Sequence, residues 1–201
     1  MDTEKRLNQM ESMIEDTAFR HNRGLSNEVG YYIFDYPPKD ELIIRDYIKR
    51  LQGKATTEGT LGFSLEVFDL YDMVLDILEE KQFLEQCFKF EEKQGMDRIV
   101  RAVGNMLKLS DNTGLIVEKI RSRLAEREED ATVKFETVIF ITGIGKIYPV
   151  LRSHKVLNNL HQAIDDIPVV MFYPGRYDEQ KLMLFGTLQD DNYYRAFRLV
   201  D

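Results

Sequence analysis

Cysteine is nearly missing from this chain. Cys87 is the one example in 201 residues, so no internal disulfide can form. It sits in an apolar helical pattern at 84–88 and reads as a buried, inert thiol rather than a nucleophile. Long apolar runs are missing too: none approaches the ~18 residues of a membrane span. Residues 1–16 are charged and amphipathic, without the apolar centre of a leader peptide, so a soluble cytoplasmic protein is expected. Positive charge is in deficit. Twenty-seven Lys and Arg face 35 Asp and Glu, a net charge of -8, and the pI is near 5.1. That disfavours free-standing nucleic-acid binding, which needs a basic surface, but leaves room for a local basic patch or a place in a larger complex. Cys pairs, an HExxH motif and a nucleophile elbow are absent. The histidines are His21, His154 and His161. His154 and His161 are seven apart, too far for the usual i, i+4 ligation of one metal. No catalytic, metal or cofactor residue is assigned.

What is present is organised around residues 137–149. Val138 to Ile141 form an unbroken β-rich apolar run, which suits a strand buried on both faces of a parallel sheet. Residues 142–145 turn the chain, a helix is expected through Leu160, and a second strand is expected at 168–173. Strand, helix and strand at this spacing predict a βαβ unit. Further strands are expected at 31–35, 63–69, 182–186 and 194–199, the last as an edge for which antiparallel pairing is one option. Residues 189–192 read as a turn. Helices are expected over 3–19, from Pro38 to Gly53 and from Tyr71 to Gly95, then around 99–107 and 116–124. A charged linker is expected at 126–130. The expected fold is a three-layer α/β domain spanning 1–201, with a mainly parallel central sheet and a helical insertion at 71–130.

In open α/β sheets ligands gather beyond the carboxyl ends of the strands. Here those ends carry Asp35, Asp69, Thr142, Gly143 and residues 173–176. Each also has an ordinary use in turns and helix caps. Gly143-Ile-Gly-Lys146 invites comparison with a phosphate loop, but the first glycine and the hydroxyl after the lysine are missing. Arg152, His154, Lys155 and Arg176 form a basic edge in sequence, with Tyr173, Tyr177, Tyr193 and Tyr194 nearby. Stacking on nucleotides is one use of such a set. Tyr and Arg are also the residues enriched at protein interfaces, and that reading is preferred.

Several strings carry a family resemblance. They are Asn22-Arg-Gly-Leu-Ser-Asn-Glu28, Tyr32-Ile-Phe-Asp-Tyr-Pro-Pro38, residues 141–149, Arg152-Ser-His154, Phe172-Tyr-Pro-Gly-Arg-Tyr-Asp178 and Asp190-Asp-Asn-Tyr-Tyr-Arg-Ala-Phe197. With them the chain resembles the BrxB family, small components of BREX bacteriophage-exclusion systems. The resemblance implies a setting beside a DNA methyltransferase, an ATPase and a phosphatase-like PglZ protein, and supplies no catalytic residues. The expectation is a non-catalytic adaptor that docks the PglZ-like component through Tyr173, Arg176, Tyr177, Tyr193, Tyr194 and Arg195. Any association with DNA would be indirect. The alternative is a nucleotide- or nucleic-acid-binding regulatory subunit of the same system, using the Gly143 turn and the basic edge.

Overall fold

The apolar run at the centre of the sequence is the centre of the sheet: Val138, Ile139, Phe140 and Ile141 are each 0% exposed. The computed structural model describes residues 2–21, 30–56, 62–108, 114–130, 136–178, 181–190 and 196–201. The strands are β1 (Tyr31–Tyr36), β2 (Ser64–Asp69), β3 (Thr137–Thr142), β4 (Val169–Tyr177), β5 (Leu182–Leu184), β6 (Leu188–Asp190) and β7 (Phe197–Arg198). The helices are α1 (Thr3–Glu15), α2 (Thr17–Arg20), α3 (Glu41–Thr56), α4 (Leu70–Glu80), α5 (Leu84–Gln94), α6 (Met96–Met106), α7 (Leu115–Asp130), α8 (Ile144–Ile147) and α9 (Ser153–His161). Among the described residues no helix is long and apolar enough to cross a membrane.

The strand order is β2-β3-β4-β1-β7, with β5 and β6 continuing from β4. β3 and β4 pair in parallel through Ile139↔Val169, Phe140↔Val170 and Ile141↔Met171, as the βαβ reading requires. β1 and β4 are parallel over their shared length, from Tyr31↔Val169 to Tyr36↔Pro174. The fold is thus α/β and three-layer in class, with a mainly parallel central sheet flanked by helices.

Several local expectations are corrected. The last strand is parallel, pairing with β1 at Tyr32↔Phe197 and Ile33↔Arg198. Of the turn expected at 189–192, Gln189 and Asp190 belong instead to β6, and residues 191 and 192 lie outside the described residues. The first helix breaks at Asp16, whose side chain accepts from Ala18 N–H and starts α2. Gly53 does not end α3, which runs to Thr56. Residues 126–130 are the last turns of α7 rather than a linker. The expected stop at Gly24 and the turn at 111–113 lie outside the described residues.

The chain divides into two compact units. The first comprises Met1–Val67, Val133–Thr142 and Asp165–Asp201, and the second Phe68–Thr132 and Gly143–Ile164. In the first unit, one core cluster joins α1 and α3 to the sheet. Leu7, Met10 and Ile14 of α1 and Ile44, Tyr47, Ile48 and Leu51 of α3 belong to it with Phe34, Phe140 and Phe172. The Phe172 ring centroid is 5.4 Å from that of Phe34 and 4.9 Å from that of Phe140. Such tilted pairs add about 0.5–1.5 kcal/mol each beyond the area they bury. In the second unit α4 packs against α5, α7 and α8, and α5 against α6. Cys87 is buried there, and burial pushes its thiol up from its ordinary value, so it is held as the unreactive thiol.

Candidate functional site

In the first unit the carboxyl ends of β1 and β4 meet, and the register sets Asp35 beside Tyr173. Asp35 is 7% exposed and Arg6, from α1, is 9% exposed. Arg6 Nη2 donates to Asp35 Oδ1 at 2.7 Å and to the Val200 carbonyl at 2.9 Å, and Nη1 donates to the Asp35 carbonyl. The guanidinium also lies over the Phe34 ring, 4.9 Å from its centroid. The other Asp35 oxygen accepts the Tyr177 N–H at 2.9 Å and lies 3.7 Å from Arg198 Nη2. One carboxylate therefore ties the first helix, two strands and the chain's C-terminal segment together. Its lone pairs are spent inside the fold.

The six residues expected to form a docking face divide sharply. Tyr173 is 1% exposed and Tyr177 0%, so both rings belong to the interior and present nothing to a partner in this chain. The Tyr177 hydroxyl donates to the Ala196 carbonyl at 2.6 Å. Arg176 is exposed. Tyr193, Tyr194 and Arg195 lie outside the described residues. The alternation of β4 separates 176 from 177: successive side chains of a strand point to opposite faces.

Beside Arg176 the β4–β5–β6 meander presents a surface that sequence reasoning missed. Arg176 pairs with Met183 across the first hairpin. This hairpin closes only because residue 175 is glycine: a Cβ there would sit 2.1 Å from the Met183 carbonyl oxygen. The next turn carries Phe185, which is 42% exposed with Leu188 at 39%. Phe185 has φ 54° and Gly186 φ 75°. Glycine and asparagine tolerate that left-handed region, and a bulky side chain there is strained. An exposed phenylalanine in a strained turn is poor for folding and well placed for contact. Sequence patterning read 182–186 as one strand and so hid the turn.

The strand-end groups of the second unit are engaged with one another. Asp69 caps α4, its Oδ1 accepting from Tyr71 N–H at 3.0 Å and Asp72 N–H at 3.3 Å. Its Oδ2 is 2.5 Å from Lys146 Nζ, which lies 3.8 Å from Asp72 and over the Tyr71 ring. Gly143 has φ 80°, and a Cβ on it would stand 2.4 Å from Asp69 Oδ1. The Gly143–Lys146 turn thus fits against the cap of α4, and an incoming phosphate would compete with Asp69 and Asp72 for the lysine. Of the basic edge, Arg152, His154 and Lys155 lie in the second unit and Arg176 in the first. No group of three or more His, Cys, Asp or Glu is arranged to hold a metal among the described residues.

Comparison with known proteins gives a consistent result. A family model described as "BREX protein BrxB" matches residues 66–199. A "BREX protein BrxB" of Bacillus cereus (strain H3081.97) is 44% identical over 197 residues, covering 98% of this chain and 97% of the relative. A "BREX protein BrxB" of Escherichia coli O9:H4 (strain HS) is 30% identical over 197 residues, covering 98% and 91%. No solved structure matches the chain.

Proposed function

The chain belongs to the BrxB family and is a component of a BREX phage-defence system, and from that premise we propose that it is a non-catalytic adaptor whose β4–β6 meander docks another component. The observation that carries this reading is Phe185, exposed and strained at the turn between β5 and β6, with Arg176 and Leu188 on the same meander. Exposed aromatic and arginine side chains supply most of the binding energy at interfaces, because they bury much area at small entropic cost. Strain held at a surface turn is a sign of a contact role. The partner in this proposal is the PglZ-like protein, met in the cytoplasm, with DNA reached only through other components. Asp35, Asp69 and Lys146, the strand-end groups with chemistry to offer, are all held in internal contacts, which supports a binding role over a catalytic one.

The test is capture of the PglZ-like component by tagged chain carrying Arg176→Ala or Leu188→Ala, with melting curves alongside. Reduced capture with an unchanged melt supports the adaptor. Unchanged capture by both variants removes the meander as the docking surface. The alternative, a nucleotide- or nucleic-acid-binding regulator, predicts instead a thermal shift with ATP, GTP or short DNA. A ligand at about a hundred times its Kd stabilises its fold by about 2.7 kcal/mol.

A further inference from the structure

The second unit contains an open groove of about 590 Å³, lined by Asp97, Val100, Arg101, Gly104 and Asn105 from α6 and by Pro149, Val150, Arg152 and Lys155. The α6 residues recur at spacings of three and four, so they form one face of that helix. Gly104 adds no side chain to that face. The opposite face supplies the buried Ala102 and Val103. Three cations therefore meet one carboxylate in this groove, although acidic residues outnumber basic ones in the chain as a whole, 35 to 27. Arg101 Nε donates to the backbone carbonyl of Asp97 at 3.3 Å. Among the described residues none of Arg101, Arg152 and Lys155 has a carboxylate partner. Cations gathered round a cavity with their charge unspent form a site for an anion.

We propose that this groove binds an acidic peptide segment of a partner protein. The chemistry of the lining selects that class. Arg101 and Arg152 offer planar forks that match carboxylates in pairs of hydrogen bonds, and Lys155 adds a point charge. Asn105 offers an amide to a peptide backbone, and Val100, Pro149 and Val150 give apolar contact to side chains between the acidic ones. Nucleic acid is disfavoured by the same lining. Among the described residues no aromatic ring lines the groove to stack a base, and three cations are few against the extended basic track a phosphate backbone needs. The inference does not depend on the meander of the first unit, which involves other residues and other variants.

The experiment titrates the full chain with a fluorescent oligoglutamate peptide containing interspersed leucines. Arms with single-stranded DNA and inorganic phosphate run in parallel. The expected result is peptide binding that weakens with salt and falls about tenfold or more in Arg101→Glu/Arg152→Glu. Lys49→Glu, at an exposed position of α3, leaves binding unchanged, and the melting curves stay the same. Peptide binding that survives the double substitution overturns the proposal, as does binding of DNA or phosphate without peptide. If the double variant fails to fold, amide shifts in the unsubstituted chain decide. Peptide-induced shifts at Val100, Gly104, Asn105 and Val150 support the groove, and shifts confined elsewhere overturn it.

Discussion

At the scale of single residues, what separates the candidate groups is which side chains are spent inside the fold. Asp35 and Arg6 form a buried pair that also satisfies the Tyr177 N–H and the Val200 carbonyl. Removing one partner of such a pair leaves an uncompensated charge and costs about 3–5 kcal/mol. Asp35→Ala is therefore expected to lower the unfolding free energy, measured by denaturant titration, by that amount, and a loss below about 1 kcal/mol would contradict the assignment. Tyr177→Phe deletes the donor to the Ala196 carbonyl. It is expected to cost about 1–3 kcal/mol of stability while leaving partner capture intact, read by melting and pull-down on the same sample. Lost capture at full stability would mean that the ring meets a partner after all. The sequence could not separate Tyr177 from Arg176. Tyrosine suits an interior and an interface equally, and what decides between them is the phase of one strand.

Among the elements, the β3–β4 pairing was legible because a continuous apolar run has one good home, the middle of a parallel sheet. The buried face of α3 was legible for a similar reason: Ile44, Tyr47, Ile48 and Leu51 share one stripe, and all four are buried. The break between α4 and α5 was not legible, since neither glycine nor proline marks it. Gln82 takes φ 54° there, its N–H donating to the Glu79 carbonyl while Phe83 N–H reaches Leu78. This is the glycine-favouring end of a helix, occupied by glutamine. Gln82→Gly should relieve the left-handed strain and raise stability by about 1 kcal/mol, measured by urea denaturation. A fall in stability would show that the glutamine side chain contributes more than its backbone costs. The turn at Phe185 escaped notice for the same reason. Backbone conformations forced on an unfavourable residue leave little signal in composition.

For the whole molecule, acid is expected to weaken the first unit. Burial alone would raise the Glu11 carboxyl, but hydrogen bonds from Lys54 and Tyr47 outweigh it and hold the group below its ordinary value. The Arg20 hydrogen bond, with His21 close by, does the same for Glu136. A depressed folded-state value means that the unfolded chain takes up protons first. The contribution is complete above the unfolded carboxylate pKa of about 4.3 and is lost as pH falls through the lower folded values. Denaturant midpoints should therefore hold near neutrality and drop below about pH 5, more steeply than in Glu11→Gln, which lacks one of the two groups. Equal slopes would remove Glu11 from the account. The proposed role, holding a partner through the strained turn of the meander, is tested by Phe185→Asn. Asparagine accepts the left-handed backbone that phenylalanine resists, so the variant should melt at or above the parent temperature. Capture of the PglZ-like component, measured by titration against the purified partner, should weaken by about 2 kcal/mol or more. A variant that is stabilised and still binds its partner as the parent does would contradict the account.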